Sequence, residues 1–189
     1  MTTDHTELKN KPEAAIEQIN LGYNTQQDRL LLRVGLSDNT ELIVWLTNRI
    51  TKQLWHLLNG ETHLPTADSI ALDATPQQAV AQFNQELQAS KALENLDFSS
   101  QYQARQDVVN DGAMLAITVL LMHHDNQPAS LELPCLEGIT VRMNLTNELI
   151  LALCNMLQLS CKEAGWDLGV VNKLPAIVMT QNDEKKVLH

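Results

Sequence analysis

Three adjacent residues, His123-His124-Asp125, form the one cluster in this 189-residue chain with the donor types of a transition-metal site. Imidazole nitrogens and a carboxylate hold zinc-like ions when they converge on one point. On a strand, neighbouring side chains leave on opposite faces, so convergence requires a turn. The following Asp125-Asn126-Gln127-Pro128 has turn chemistry. Further ligands would have to come from His56 or His63, and no spacing matches a zinc signature. The ordinary reading is a polar strand end, and no metal or cofactor is assigned. The cysteines Cys135, Cys154 and Cys161 are an odd number and cannot all pair within one chain. On one helix Cys154 and Cys161 would stand about 10 Å apart, beyond the reach of a disulfide. Apolar neighbours keep such thiols protonated and inert, and no base accompanies Cys135. Reduced, buried cysteines of a cytoplasmic protein are therefore expected.

Other chemistries leave weaker marks. The seven glycines are scattered, without GxGxxG or GxxxxGK[ST], which removes the dinucleotide and P-loop readings. No GxSxG elbow surrounds a serine, and no acidic pair stands out from a generally acidic surface. Thirteen Lys and Arg against 23 Asp and Glu give a net charge of −10, a field that repels nucleic acid. The densest basic stretch, Arg29, Arg33, Arg49 and Lys52, is interleaved with Asp28, Asp38 and Glu41. The N-terminal residues have neither a basic nor an apolar leader region. The longest apolar run, Ala113 to Met122, is too short to span a bilayer. Neither nucleic acid nor membrane is expected as a partner.

The elements that would position any site follow from periodicity. Residues 1–15 and 181–189 lack it and are expected to be flexible tails around one domain, 16–180. Ile19 to Tyr23, Arg29 to Val34 and Glu41 to Leu46 alternate as strands, with Asx-rich turns between them. Leu46-Thr47-Asn48 then opens a helix carrying Ile50, Leu54, Leu57 and Leu58. The same tripeptide recurs at Leu145-Thr146-Asn147, after a second run of strands. There it opens a helix carrying Leu149, Leu153, Met156 and Leu157. In both places threonine suits the N-cap. The halves, about 19–60 and 97–165, read as two β-meander-plus-helix units. Two accounts compete for the echo: internal duplication, or the recurrence of a common kind of joint.

Between the halves, Thr75-Pro76-Gln77-Gln78 combines a capping box with proline at the first helical position, predicting a helix over 76–94. Its stripe, Val80, Phe83 and Leu87, is narrow enough to lie on a surface. Phe98 to Val109 alternates loosely, Asn110-Asp111-Gly112 reads as a hairpin turn, and Ala113 to Met122 reads as a central strand covered on both faces. The fold class is α+β.

The apolar residues without an evident internal partner supply the functional expectation. Leu31, Ile43 and Trp45 share the second face of the first strands, and the second helix, with Ile150 and Cys154, is apolar nearly all round. Leu31, Ile43, Trp45, Ile150 and Cys154 are the candidate partner surface. The chain is read as a small cytoplasmic accessory or regulatory protein, self-associating, acting through protein–protein interaction and not as an enzyme. The alternative is a small-molecule binder or enzyme with a pocket near His123, His124 and Asp125, helped by Arg33 or Arg142.

Overall fold

The computed structural model describes residues 14–59, 76–109, 112–122 and 128–169. Strands β1 (Ile16–Asn24), β2 (Arg29–Leu36) and β3 (Thr40–Leu46) form an antiparallel meander. Alternation puts Leu30, Leu32, Val34, Val44 and Leu46 on one face, where all are buried. Helix α1 (Asn48–Asn59) follows. Helix α2 (Pro76–Glu94) has the bounds its sequence predicts; its cap residue Thr75 lies outside the described residues. Two short strands, β4 (Asp107–Val108) and β5 (Met114–Leu115), extend the first sheet. A second meander comprises β6 (Leu120–Met122), β7 (Ala129–Pro134) and β8 (Thr140–Leu145). It runs into α3 (Asn147–Ala164). The architecture is α+β, with one meander-plus-helix unit on each side of α2.

The two units agree in register. Leu30, Leu32 and Val34 face Leu46, Val44 and Leu42, just as Ala129, Leu131 and Leu133 face Leu145, Met143 and Val141. Each hairpin turns on a residue of positive φ, Asn39 (68°) in the first and Gly138 (80°) in the second. The Asn39 and Gly138 amides donate to the carbonyls of Leu36 and Cys135, both at 3.1 Å. Asn and Gly are the residues that take this left-handed conformation at least cost. Each meander then ends on its threonine: Thr47 Oγ1 accepts from the Ile50 amide (3.4 Å) and Thr146 Oγ1 from the Leu149 amide (3.3 Å). Matched residues keep a constant separation in sequence from Leu30 and Ala129 through Leu58 and Leu157. The identical positions are Leu32/Leu131, Leu46-Thr47-Asn48/Leu145-Thr146-Asn147, Leu54/Leu153 and Leu58/Leu157. Those are core leucines and a helix start, so the correspondence is one of construction.

Three expectations need correction. The run Phe98 to Val109 is strand only at Asp107–Val108, because Asp97 turns the chain by accepting from the amides of Ser99 and Ser100. No hairpin joins β4 to β5, since both lie parallel to β3 (Thr40 opposite Asp107, Val44 opposite Met114). Ala113 to Met122 is not a central strand. It leaves β3 after Leu115, bridges to Cys135 through Ala116, and enters the second sheet as edge strand β6. Ile117, Leu120 and Met122 are exposed as a result.

One core spans both units. Its centre is α3, whose Leu153, Cys154, Leu157 and Cys161 are each at most 1% exposed. This helix lies closest to β1 of the first unit, with the Ser160 hydroxyl donating to the Leu21 carbonyl (3.2 Å) and Trp166 edge-on to Tyr23 (5.7 Å). Gly165 stops it in a left-handed conformation while the Trp166 amide reaches back to the Cys161 carbonyl (2.8 Å), a Schellman closure. The buried stripe of α1 is Ile50, Thr51, Leu54, Trp55 and Leu58; Leu57, expected inside, is exposed. The covered positions fall three, four, seven, eight and eleven residues after the cap, a helical stripe that the elements packed on α1 select over the equally regular face containing Leu57. Thr51 and Trp55 each bury a polar atom without a hydrogen-bond partner among the described residues. The counterpart of Thr51 in the second unit is Ile150, which brings no such atom. Removing the stranded hydroxyl while keeping the branched shape should therefore help. Thr51→Val is expected to stabilise the fold by about 1 kcal/mol, and Thr146→Ala to cost about 1 kcal/mol by uncapping α3. Chemical denaturation of the two variants measures both signs.

Candidate functional site

The second face of the first sheet carries a group of charged and aromatic side chains that bond to one another. Alternation directs Arg33 of β2 and Glu41 and Ile43 of β3 there, with Arg33 opposite Ile43 and Glu41 opposite Gly35 in the register. Glu41 is 1% exposed, which demands compensation for its charge. Compensation comes from Arg33 Nε and the Tyr102 hydroxyl, both donating to Oε1 at 2.8 Å. The Arg33 guanidinium also lies 4.9 Å from the centre of the Tyr102 ring, a cation–π arrangement.

Tyr102 arrives on residues 97–106, a strap that crosses the end of this face. The Gln103 amide donates to Gln18 Oε1 (3.1 Å), and Arg105 pairs with Glu17 (2.7 Å). Arg105 Nε sits where Gly35 has no side chain: a Cβ there would be 2.8 Å away. A side chain at this position would push the Arg105 guanidinium aside. Burial, then the bond to Glu41, raises the Tyr102 phenol well above its ordinary value. At the start of the strap, hydrogen bonds from Ser100 and Ser99 hold Asp97 well below the usual carboxylate range.

Chemically this cluster is a clasp. Its carboxylate is sealed and committed to two donors, so it cannot reach a substrate. Arg33, expected as a pocket residue, is spent on Glu41, and Arg142 pairs with Glu132 (2.7 Å) on the outer face of the second sheet. The clasp escaped the sequence reading because Glu41 and Tyr102 are 61 residues apart. The available signal was a charged residue, Glu41, opening an otherwise apolar strand.

The candidate partner residues separate into two groups. Ile150 (3% exposed) and Cys154 (0%) lie in the core and are out of reach of a partner. Leu31, Ile43 and Trp45 stay together on the second sheet face, each half-buried. The His123-His124-Asp125 cluster lies outside the described residues. Among the described residues no group of His, Cys, Asp and Glu could hold a metal ion, and no helix is long and apolar enough to cross a membrane. The three cysteines are buried. Burial pushes the Cys161 thiol up to about 11 and, with help from Glu137, raises Cys135.

Apolar surface is plentiful elsewhere. The α2 stripe stands in water, with Val80 60%, Phe83 63% and Leu87 42% exposed. Ile117, Leu120 and Met122, on the segment that passes from one sheet to the other, are exposed as well. Compared with protein-family models, curated proteins and solved structures, the chain shows no match.

The clasp predicts the alkaline behaviour of the protein. The folded state holds the Tyr102 proton more tightly than the unfolded chain does. Its contribution to stability is thus complete below about pH 10 and is lost as the pH rises further. In a spectrophotometric titration Tyr102 should ionise only as the protein unfolds, and Tyr102→Phe should remove that late component. The variant, with one donor to the buried carboxylate gone, should be about 1.5 kcal/mol less stable.

Proposed function

We propose that this protein is a small cytoplasmic accessory subunit that self-associates and acts by binding protein surfaces. The exposed stripe of α2 carries the reading. Three large apolar side chains on one helical face keep roughly half or more of their surface in water. Burying such surface against a protein is favourable in proportion to its area, and contiguous exposed apolar patches mark interaction sites. The reduced, buried cysteines suit a cytoplasmic setting. The net charge of −10 favours protein surfaces over nucleic acid.

Sedimentation equilibrium over a wide concentration range tests the self-association. A mass that climbs above the monomer as concentration rises is the expected result. A strict monomer that also forms no cross-linked adduct with any other protein of its native lysate would overturn the proposal.

A further inference from the structure

The two units act as controls for each other on their second sheet faces. In the first unit the register sets Leu31 opposite Trp45, Arg33 opposite Ile43 and Gly35 opposite Glu41. The matching pairs of the second unit are Ser130 with Asn144, Glu132 with Arg142 and Pro134 with Thr140. An antiparallel sheet can leave so polar a face in water. The construction of the unit therefore does not call for an apolar second face or a buried carboxylate. The first unit has both, and the strap of residues 97–106 crosses the end of that face.

The strap is held as one extended segment recognised by another surface. The body supplies three acceptors: Glu41 Oε1 takes the Tyr102 hydroxyl, Gln18 Oε1 the Gln103 amide and Glu17 Oε2 the Arg105 guanidinium. That guanidinium lies over Gly35, and Arg33 sets its own beside the Tyr102 ring. No strap residue enters the hydrophobic core, and Phe98 stands 46% exposed. Contacts so largely polar can be exchanged for others at small net cost. The fit is also incomplete, since Arg105 Nε is buried without a hydrogen-bond partner among the described residues. A differently placed arginine could satisfy its donors more fully. With two carboxylates among its acceptors, the cradle selects a segment carrying a cation and a hydroxyl.

We infer that this cradle is a docking site for an extended segment of a partner protein, one that presents a tyrosine and, three residues on, an arginine. The strap is its internal occupant and stays in place until such a segment displaces it. This rests on the proposed interaction function and adds to it a second surface and the chemistry of what that surface takes. A tethered occupant has an effective concentration on the order of millimolar. The closed protein therefore admits only a segment that binds better than the strap or is present in excess.

The strap's own sequence is the probe. A labelled peptide of residues 97–106 is titrated, by fluorescence anisotropy, with the full chain and with a Tyr102→Ala/Arg105→Ala variant whose strap has lost both anchors. Circular dichroism confirms that the variant folds. The unlatched variant should bind the peptide at least about 10-fold more tightly than the wild type does. Peptides carrying Tyr102→Phe or Arg105→Ala should each bind it about 10-fold more weakly, and a scrambled peptide should not bind. If the double-alanine chain does not fold, Tyr102→Phe/Arg105→Gln, which keeps the size of both side chains, takes its place with the same order of affinities expected.

A folded, unlatched chain that binds no peptide, or binds the scrambled one equally well, overturns the docking site. The interaction function then stands or falls separately, on sedimentation and cross-linking. Equal binding by the wild type and the unlatched chain overturns the strap as the internal occupant.

Discussion

The interior face of α3 is the constraint on which the rest of the molecule depends. A β-meander with one apolar face cannot stand alone in water, and a single amphipathic helix covers only part of it. Here the helix of the second unit is drawn onto β1 of the first, with Leu153, Cys154, Leu157 and Cys161 almost completely removed from solvent. The Ser160 hydroxyl on the Leu21 carbonyl and the Schellman turn at Gly165 set where that helix lies and where it stops. Two units that would each be marginal thereby share one core. Once α3 is committed in this way, its apolar character no longer marks a partner surface.

The clasp around Glu41 makes the complementary point about charge. A carboxylate sealed from water is costly unless its partners are fixed. Arg33 is fixed by its own strand. Tyr102 is held by a strap that is tied by Gln103 to Gln18 and by Arg105 to Glu17, with the Arg105 guanidinium lying over Gly35. The arrangement resembles a catalytic site in composition and differs from one in access.

How much of this was legible in the sequence depended on the range of the interactions. Features set within a few residues could be read: the Asx turns, the threonine caps at Thr47 and Thr146, the bounds of α2, and the exposed stripe it carries. Positions set by what packs against an element could not. Leu57 and Trp55 are both apolar and adjacent to helical core positions, and only the neighbouring elements decide that Trp55 goes inside. Ala113 to Met122 looks like a buried strand because apolar residues occupy both parities. The chain instead divides them between two sheets, β5 in one and β6 in the other. Of the candidate surface, Leu31, Ile43 and Trp45 were grouped by strand parity, a local property. Ile150 and Cys154 were misjudged because coverage by β1 and α1 is a long-range one.

The tie between Arg105 and Glu17 spans 88 residues, and the chain it encloses includes all but the first residue of the first meander together with α1 and α2. Closing so long a loop costs entropy that is recovered only when its anchor points already exist. On this ground we expect the strap to close late in folding and to open before the core does. Its opening would hydrate Glu41 without disturbing the α1–α3 core, so the first sheet has a way of loosening at one end while the rest of the protein stays folded.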